Sequence, residues 1–179
     1  GQRHIYAAGD CIGGYQFTHY AGWQGFMAVR NALLPGTTRA VLDHVPWATF
    51  TDPEVAHAGL TEIQARERFG NRVEVCQWPM HRVDRALTER DSSGFIKLVH
   101  QGDGTLLGVT IVNGRAGEMI HEWILALDQR MKVSDLTNSL HIYPTYSMAS
   151  LQVASHLRLA QLLAGASGKM IRAWSRLTR

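Results

Sequence analysis

Cysteine is scarce in this chain, and long apolar runs are missing. Only Cys11 and Cys76 occur in 179 residues, far apart and outside any Cys-x-x-Cys pattern. That spacing excludes a zinc ribbon and a thioredoxin-type redox motif. One disulfide is open to them, but two reduced thiols in a cytoplasmic protein are the expectation. No apolar stretch is long enough to span a bilayer, and no secretory signal pattern is present, so no membrane partner is expected. Acid is missing from the last eleven residues, "KMIRAWSRLTR", which carry Lys169, Arg172, Arg176 and Arg179. The formal net charge is only +3, so without those four cations the chain is near neutral. Nucleic-acid binding needs a basic face on the fold rather than a basic tail, and no nucleic-acid partner is expected. Repeats and low-complexity tracts are also absent.

What is present describes a globular chain with a real core. Hydrophobic residues make up 45% and charged residues 18%, in a length that suits one or two domains. The chain begins at Gly1, almost inside a motif, and the expectation is a piece of a longer polypeptide.

The pattern changes along the chain. Residues 4–9, "HIYAAG", read as a short buried strand, broken by "GDCIGG". Residues 18–33 have helical spacing, with Thr18 as N-cap and Phe26, Val29 and Leu33 on one side. "LPGTT" ends that helix as a linker. "PWATFTDPEVAHAGL" suggests two short strands parted at Asp52-Pro53. "LTEIQARERFG" is a short helix from cap Thr61 to stop Gly70. "RVEVCQWPM" alternates like a strand. "SGFIKLVHQGDGTLLGVTIVN" is a hairpin around "QGDG", with its second, nearly all-apolar strand expected to be central. Residues 116–131 place Met119, Ile120, Trp123, Ile124, Leu127 and Met131 on one helix face. "KVSDLTNS" is a short connection. A last helix is expected from Tyr146 or Ser147 to about Leu163, with Met148, Leu151, Leu159 and Leu162 near one stripe and Ser147 as a cap; "GASGK" interrupts it. Read from the residues, the second part is an α+β domain with an antiparallel sheet.

Two stretches carry chemistry. In "YAAGDCIGG" a small-residue segment runs into Gly9-Asp10, which lets backbone approach a ligand and lets Asp10 accept hydrogen bonds from ligand hydroxyls. The helix that follows opens with free N–H groups. On local physics alone, a turn is the favoured reading of Gly9-Asp10. The second stretch, "LHIYPTYSM" over 140–148, gathers His141, Tyr143, Tyr146 and Ser147 around Pro144-Thr145. The remaining histidines, His4, His19, His44, His57, His81, His100, His121 and His156, show no metal spacing, and no metal site is expected. His81, Arg82, Asp84 and Arg85 read as a solvated charged loop.

"HIYAAGDCIGGYQFTHYAGWQG", "FTDPEVAHAGLTE" and "YPTYSM" together resemble, in order and spacing, the pyridine nucleotide-disulfide oxidoreductases, a family that includes dihydrolipoamide dehydrogenase, glutathione reductase and mercuric reductase. The resemblance covers roughly residues 4–160. It implies an antiparallel sheet flanked by helices over about 43–163, pairing two subunits as a homodimer. Residues 1–40 would be the end of an FAD-binding domain, and 164–179 a basic tail. It also implies FAD as cofactor and NAD(P)H as substrate of the full-length protein. Asp10, beside Gly9, would bind the ribityl chain, and the backbone at Phe17, Thr18 and His19 would face the flavin pyrimidine edge. Cys11 does not match the family's redox pair and reads as a small buried residue. No GxGxxG follows an N-terminal strand, so the main dinucleotide site is not in this sequence.

The strip departs from the family's disulfide-reducing pattern. There, a histidine directly before Pro-Thr acts as acid/base, and a glutamate five residues later orients it. Here those places hold Tyr143 and Met148. A phenol titrates near pH 10, so it is a poor proton shuttle at neutral pH. His141, two residues earlier, would lie on Tyr143's side of an extended segment, which keeps a catalytic role for both residues open. Three readings compete: an acceptor other than a small disulfide, as in mercuric reductases; lost disulfide chemistry; or interface packing by Tyr143 and His141. The leading expectation is the dimerisation portion of an FAD-dependent NAD(P)H oxidoreductase, inactive by itself. Its rivals are a non-catalytic dimerisation or interaction module and an unrelated small α+β domain.

Overall fold

The computed structural model describes residues 2, 4–39, 42, 45–164, 168, 170 and 174. It divides into two compact units, Gly1–Trp47 and Ala48–Arg179.

In the first unit, a single 3-10 turn, Asp10–Ile12, precedes helix α1, Thr18–Leu33. The strand expected over 4–9 does not form, and Ile5 is 67% exposed. An extended segment becomes a strand only when a neighbour takes its backbone N–H and C=O groups. No strand lies beside this one among the described residues of the unit. Helix α1 starts where the periodicity placed it, but its N-cap is Phe17, with no side chain capping the first turn; Thr18 is already helical. Its expected apolar face is also reversed. Phe26, Val29 and Leu33 are exposed, whereas Tyr20 and Gln24 are buried. Gln24 turns inward because its Oε1 accepts the N–H of Gly9 at 2.9 Å. Tyr20 follows, stacked on Trp23 with ring centroids 6.0 Å apart.

The second unit is a five-stranded sheet with helices. Its strands are β1 (Trp47–Thr49), β2 (Glu54–Gly59), β3 (Val73–Pro79), β4 (Phe95–Gln101) and β5 (Leu106–Asn113), in the spatial order β1-β2-β5-β4-β3. The β2–β5, β5–β4 and β4–β3 pairs are antiparallel. The hairpin β4–β5 forms as its turn chemistry predicts, and β5 is the central strand. Register puts Ala56, Ile111 and Ile96 side by side, and likewise Ala58, Val109 and Leu98. All six are fully buried on one face. Burying each large aliphatic side chain contributes about 1.5–3 kcal/mol. Gly94 opens β4 at φ +91°, where a Cβ would sit 1.8 Å from the Val112 carbonyl oxygen; only glycine fits.

That face is covered by α4 (Ala116–Met119), α5 (His121–Asp128) and α6 (Met148–Ala164). The helix expected over 116–131 is therefore two helices that share its apolar face: Met119, Ile120 and Trp123 are buried as predicted. The opposite face carries α2 (Glu62–Phe69), which packs Ala65 against Val73 and Val99. Thr61 caps α2 in a capping box with Gln64, and Gly70 ends it, as expected. A short helix, α3 (Asp84–Thr88), precedes β4.

Helix α6 departs from its expected stripe. Ala149, Ser150, Val153 and Ala154 are buried, whereas Leu159 and Leu162 are exposed. Small residues let the helix approach the sheet closely, and that favours the alanine face over the leucine face. It also lets Trp123 reach across: its indole N–H donates to Ser150 Oγ at 2.9 Å, both groups fully buried. Of the "GASGK" break only Gly168 is described, and the tail Lys169, Arg172, Arg176 and Arg179 lie outside the described residues. The Asp52–Pro53 and Tyr143–Pro144 peptide bonds are cis. Among the described residues, no helix is long and apolar enough to cross a membrane.

Ser150→Ala leaves a buried indole N–H without an acceptor, which costs about 1–3 kcal/mol. The expected outcome is a lower denaturation midpoint with an unchanged denaturant slope, read by Trp123 fluorescence; an unchanged midpoint would show that the bond contributes nothing.

Candidate functional site

The first unit brings the residues singled out at its front close together in sequence and space. Gly9 has φ +80°, and a Cβ there would approach the Ala21 Cβ to 3.2 Å. The loop thus rests tightly on α1, tied by the Gly9–Gln24 hydrogen bond. Asp10 follows on the surface. At the start of α1, geometry leaves the first N–H groups without intrahelical acceptors, and no side chain caps them. Phe17 and His19 stack with centroids 5.3 Å apart, and His19 Nε2 lies 2.8 Å from the Pro46 carbonyl. An exposed carboxylate and an uncapped helix start suit a hydroxyl-bearing, acceptor-rich ligand, so these residues fit the family's flavin chemistry. Cys11 is exposed rather than buried, its thiol donating to the Ala8 carbonyl at 3.3 Å. The 3-10 turn carries it outward, because no buried residue lies in that turn. Cys76 is also free, and burial pushes its thiol up from the usual range.

The second unit holds the strip after the 3-10 segment Val133–Asn138. Here the sequence expectation and the geometry part. The chain bends at Tyr143, so the alternation that would set His141 and Tyr143 on one side does not hold. His141 turns inward, its side chain 9% exposed, with Nε2 2.9 Å from Glu122 Oε2 on α5. Its Nδ1 lies 3.2 Å from the Ser139 carbonyl. Tyr143 points outward, 65% exposed, and its hydroxyl donates to Asp84 Oδ2 on α3 at 2.9 Å. That hydrogen bond, with the carboxylate charge behind it, raises the phenol above its usual pKa. Tyr146 donates to Asp91 Oδ2 at 3.3 Å; burial first, and then Asp91, raise its phenol too. Beside the strip, a cleft of about 400 Å³ is lined by Pro144, Thr145 and Tyr146, with Arg85 and Arg115 facing Glu89 and Glu118. Its two arginines and two glutamates balance, so it has no net preference for an anion.

Two partners were not legible as site residues. Asp84 read as part of a solvated loop, yet it holds Tyr143. Glu122 sits in an apolar helical run with no basic residue three or four positions away. An acid unpaired within its own helix is the signal that could have flagged it. Among the described residues, no group of three or more His, Cys, Asp or Glu is placed to hold a metal ion.

This fold and strip define a reductase dimerisation domain. The pyridine nucleotide-disulphide oxidoreductase dimerisation domain is matched by residues 45–153, more than half of the chain, and the chain belongs to that family. It is 39% identical over 159 residues to a mercuric reductase of Lysinibacillus sphaericus, covering 88% of this chain and 28% of that protein. It is 34% identical over 171 residues to a dihydrolipoyl dehydrogenase of Corynebacterium glutamicum, covering 93% of this chain and 34% of that one. Among solved structures, the HOCl-induced flavoprotein disulfide reductase RclA from Escherichia coli superposes with TM-score 0.78 at 28% identity, over 84% of this chain and 35% of that one. The chain thus spans about a third or less of these relatives.

Asp84→Asn removes the charge and weakens the acceptor that raise the Tyr143 phenol. The Tyr143 titration, followed by ring-carbon NMR, is expected to move down toward that of an ordinary tyrosine. No movement would show that Asp84 does not govern the phenol.

Proposed function

We propose that this chain is the dimerisation portion of an FAD-dependent NAD(P)H oxidoreductase that reduces an acceptor other than a small disulfide. Residues 1–40 supply part of the flavin pocket through Gly9, Asp10 and the start of α1 at Phe17, Thr18 and His19. Residues 43–163 form the homodimer contact, and residues 164–179 form a basic tail. When bound, the flavin supplies the electron transfer; these residues bind and orient it. The proposal includes a cytoplasmic setting, which two free thiols suit, and no role for nucleic acid.

One observation carries the choice of acceptor. The residue before Pro144 is an exposed phenol hydrogen-bonded to Asp84, while the strip's imidazole is nearly buried and engaged at both nitrogens. Disulfide reduction needs a group that exchanges protons with a thiol near neutral pH. Neither Tyr143 nor His141 offers that here; Tyr143 offers an exposed hydroxyl whose one O–H is donated to Asp84. The dimer part rests on the family and on outward apolar side chains, Leu140 and Ile142 beside the strip and Leu125 on α5. A non-catalytic dimerisation module is the second reading, favoured by Met148 standing where a carboxylate would orient a base.

Light scattering combined with the visible absorbance of the purified chain tests this. The expected result is a mass of twice 19.9 kDa with little flavin colour, since the chain supplies only part of the pocket. A monomer would overturn the homodimer. Tight, stoichiometric FAD would overturn the view that the main nucleotide site lies outside these residues. The two functional readings separate in the full-length protein: flavin-dependent NAD(P)H oxidation that Tyr143→Phe slows supports the oxidoreductase, and its absence supports the module.

A further inference from the structure

We propose that Glu122 is the positioning residue of the strip: through His141 it anchors the segment from Ser139 to Tyr143 onto α5, and so presents the Tyr143 phenol to the acceptor. The importance of that phenol rests on the reading given above; the anchoring itself does not.

A loop is usually held by its apolar side chains. Here they cannot hold it, because Leu140 is 99% exposed and Ile142 79%. Polar contacts therefore set the position of the segment. His141 alone points inward between those two residues, and its Nε2 meets Glu122 Oε2 at 2.9 Å. The Ser139 carbonyl can only accept, so the ring donates to it from Nδ1 across 3.2 Å. Nε2 lies against Oε2, so both ring nitrogens have a partner. No ring nitrogen is left for a substrate, which makes His141 a structural link and not an acid/base. The Thr145 hydroxyl donates to the Ile142 carbonyl at 2.6 Å and closes the turn, and Tyr143 reaches Asp84 at 2.9 Å. The segment is thus tied to α5 at one end and to α3 at the other.

Glu122 is committed to this one contact. Its other oxygen, Oε1, is buried and has no partner among the described residues. A carboxylate held that way gains its hydrogen bond from His141 or not at all. The pair stands two residues before the place where the family sets its acid/base, and a different helix supplies the carboxylate. It orients a phenol by proxy, where the family's glutamate orients an imidazole directly.

Nuclear magnetic resonance on the whole chain tests the anchor, with Glu122→Gln keeping the shape of the side chain. The expected results are a moved 15N shift at His141 Nε2 and backbone order parameters at Ile142 and Tyr143 falling from about 0.85 to below about 0.6. The Tyr143 ring-carbon titration should also become insensitive to Asp84→Asn, which a role in core packing alone would not produce. Order parameters that stay high, with Tyr143 still responding to Asp84→Asn, would overturn the proposal. His141→Gln probes the link from the other side with Glu122 intact, and unfolding of both variants would overturn it too, because Glu122 would then hold the core and not the strip. None of these readouts needs flavin or a dimer. A monomeric or flavin-retaining chain would sink the functional reading and leave this one standing.

Discussion

The pairing of β5 on both of its edges is the constraint on which the second unit depends. As the middle strand it fixes the register of β2 on one side and β4 on the other, and so decides which residues meet across the sheet. Shifting one strand by a single residue would turn its apolar set to the opposite face. With register set, Ala56, Ala58, Ile96, Leu98, Val109 and Ile111 make one continuous apolar surface, and α4, α5 and α6 have a single place to settle. The buried Trp123–Ser150 bond then locks α5 to α6. The strip is the connection that arrives at α6, so its two ends are set before any of its own side chains act.

Within that frame the strip is a polar structure with apolar residues facing out. Leu140 and Ile142 are left to solvent or to a partner, and His141, Tyr143 and Tyr146 each find a carboxylate on a different element: Glu122, Asp84 and Asp91. Each pairing has a distinct consequence. A nearly buried imidazole bonded at both nitrogens is rigid and unavailable. An exposed phenol that donates its O–H to a carboxylate has its pKa raised and its proton engaged.

The agreement and disagreement between sequence and structure follow from which forces are local. The hairpin, the Thr61 N-cap, the Gly70 stop and the central position of β5 were all readable, because turn chemistry, capping and hydrophobic period act over a few residues. The misread elements depended on a neighbour. Residues 4–9 have strand-like composition but no strand beside them among the described residues of the unit. The leucine stripe of α6 scored as the core face, yet the alanine face gave the closer approach to the sheet. In α1, Gln24 displaced an apolar face through one hydrogen bond to Gly9.

The candidate site divides along the same line. The sequence by itself determined which groups the strip contains and which it lacks: a tyrosine before Pro144, no carboxylate at 148, and a histidine at 141. Those identities depart from the family's His-Pro-Thr strip at both of its acid/base positions. Only the tertiary structure decided the roles of the groups that remain, because Glu122 and Asp84 lie 19 and 59 residues from their partners. No local pattern encodes such distances. They are set when the sheet register fixes where α3 and α5 pack, and that packing buries His141 and leaves Tyr143 in the open.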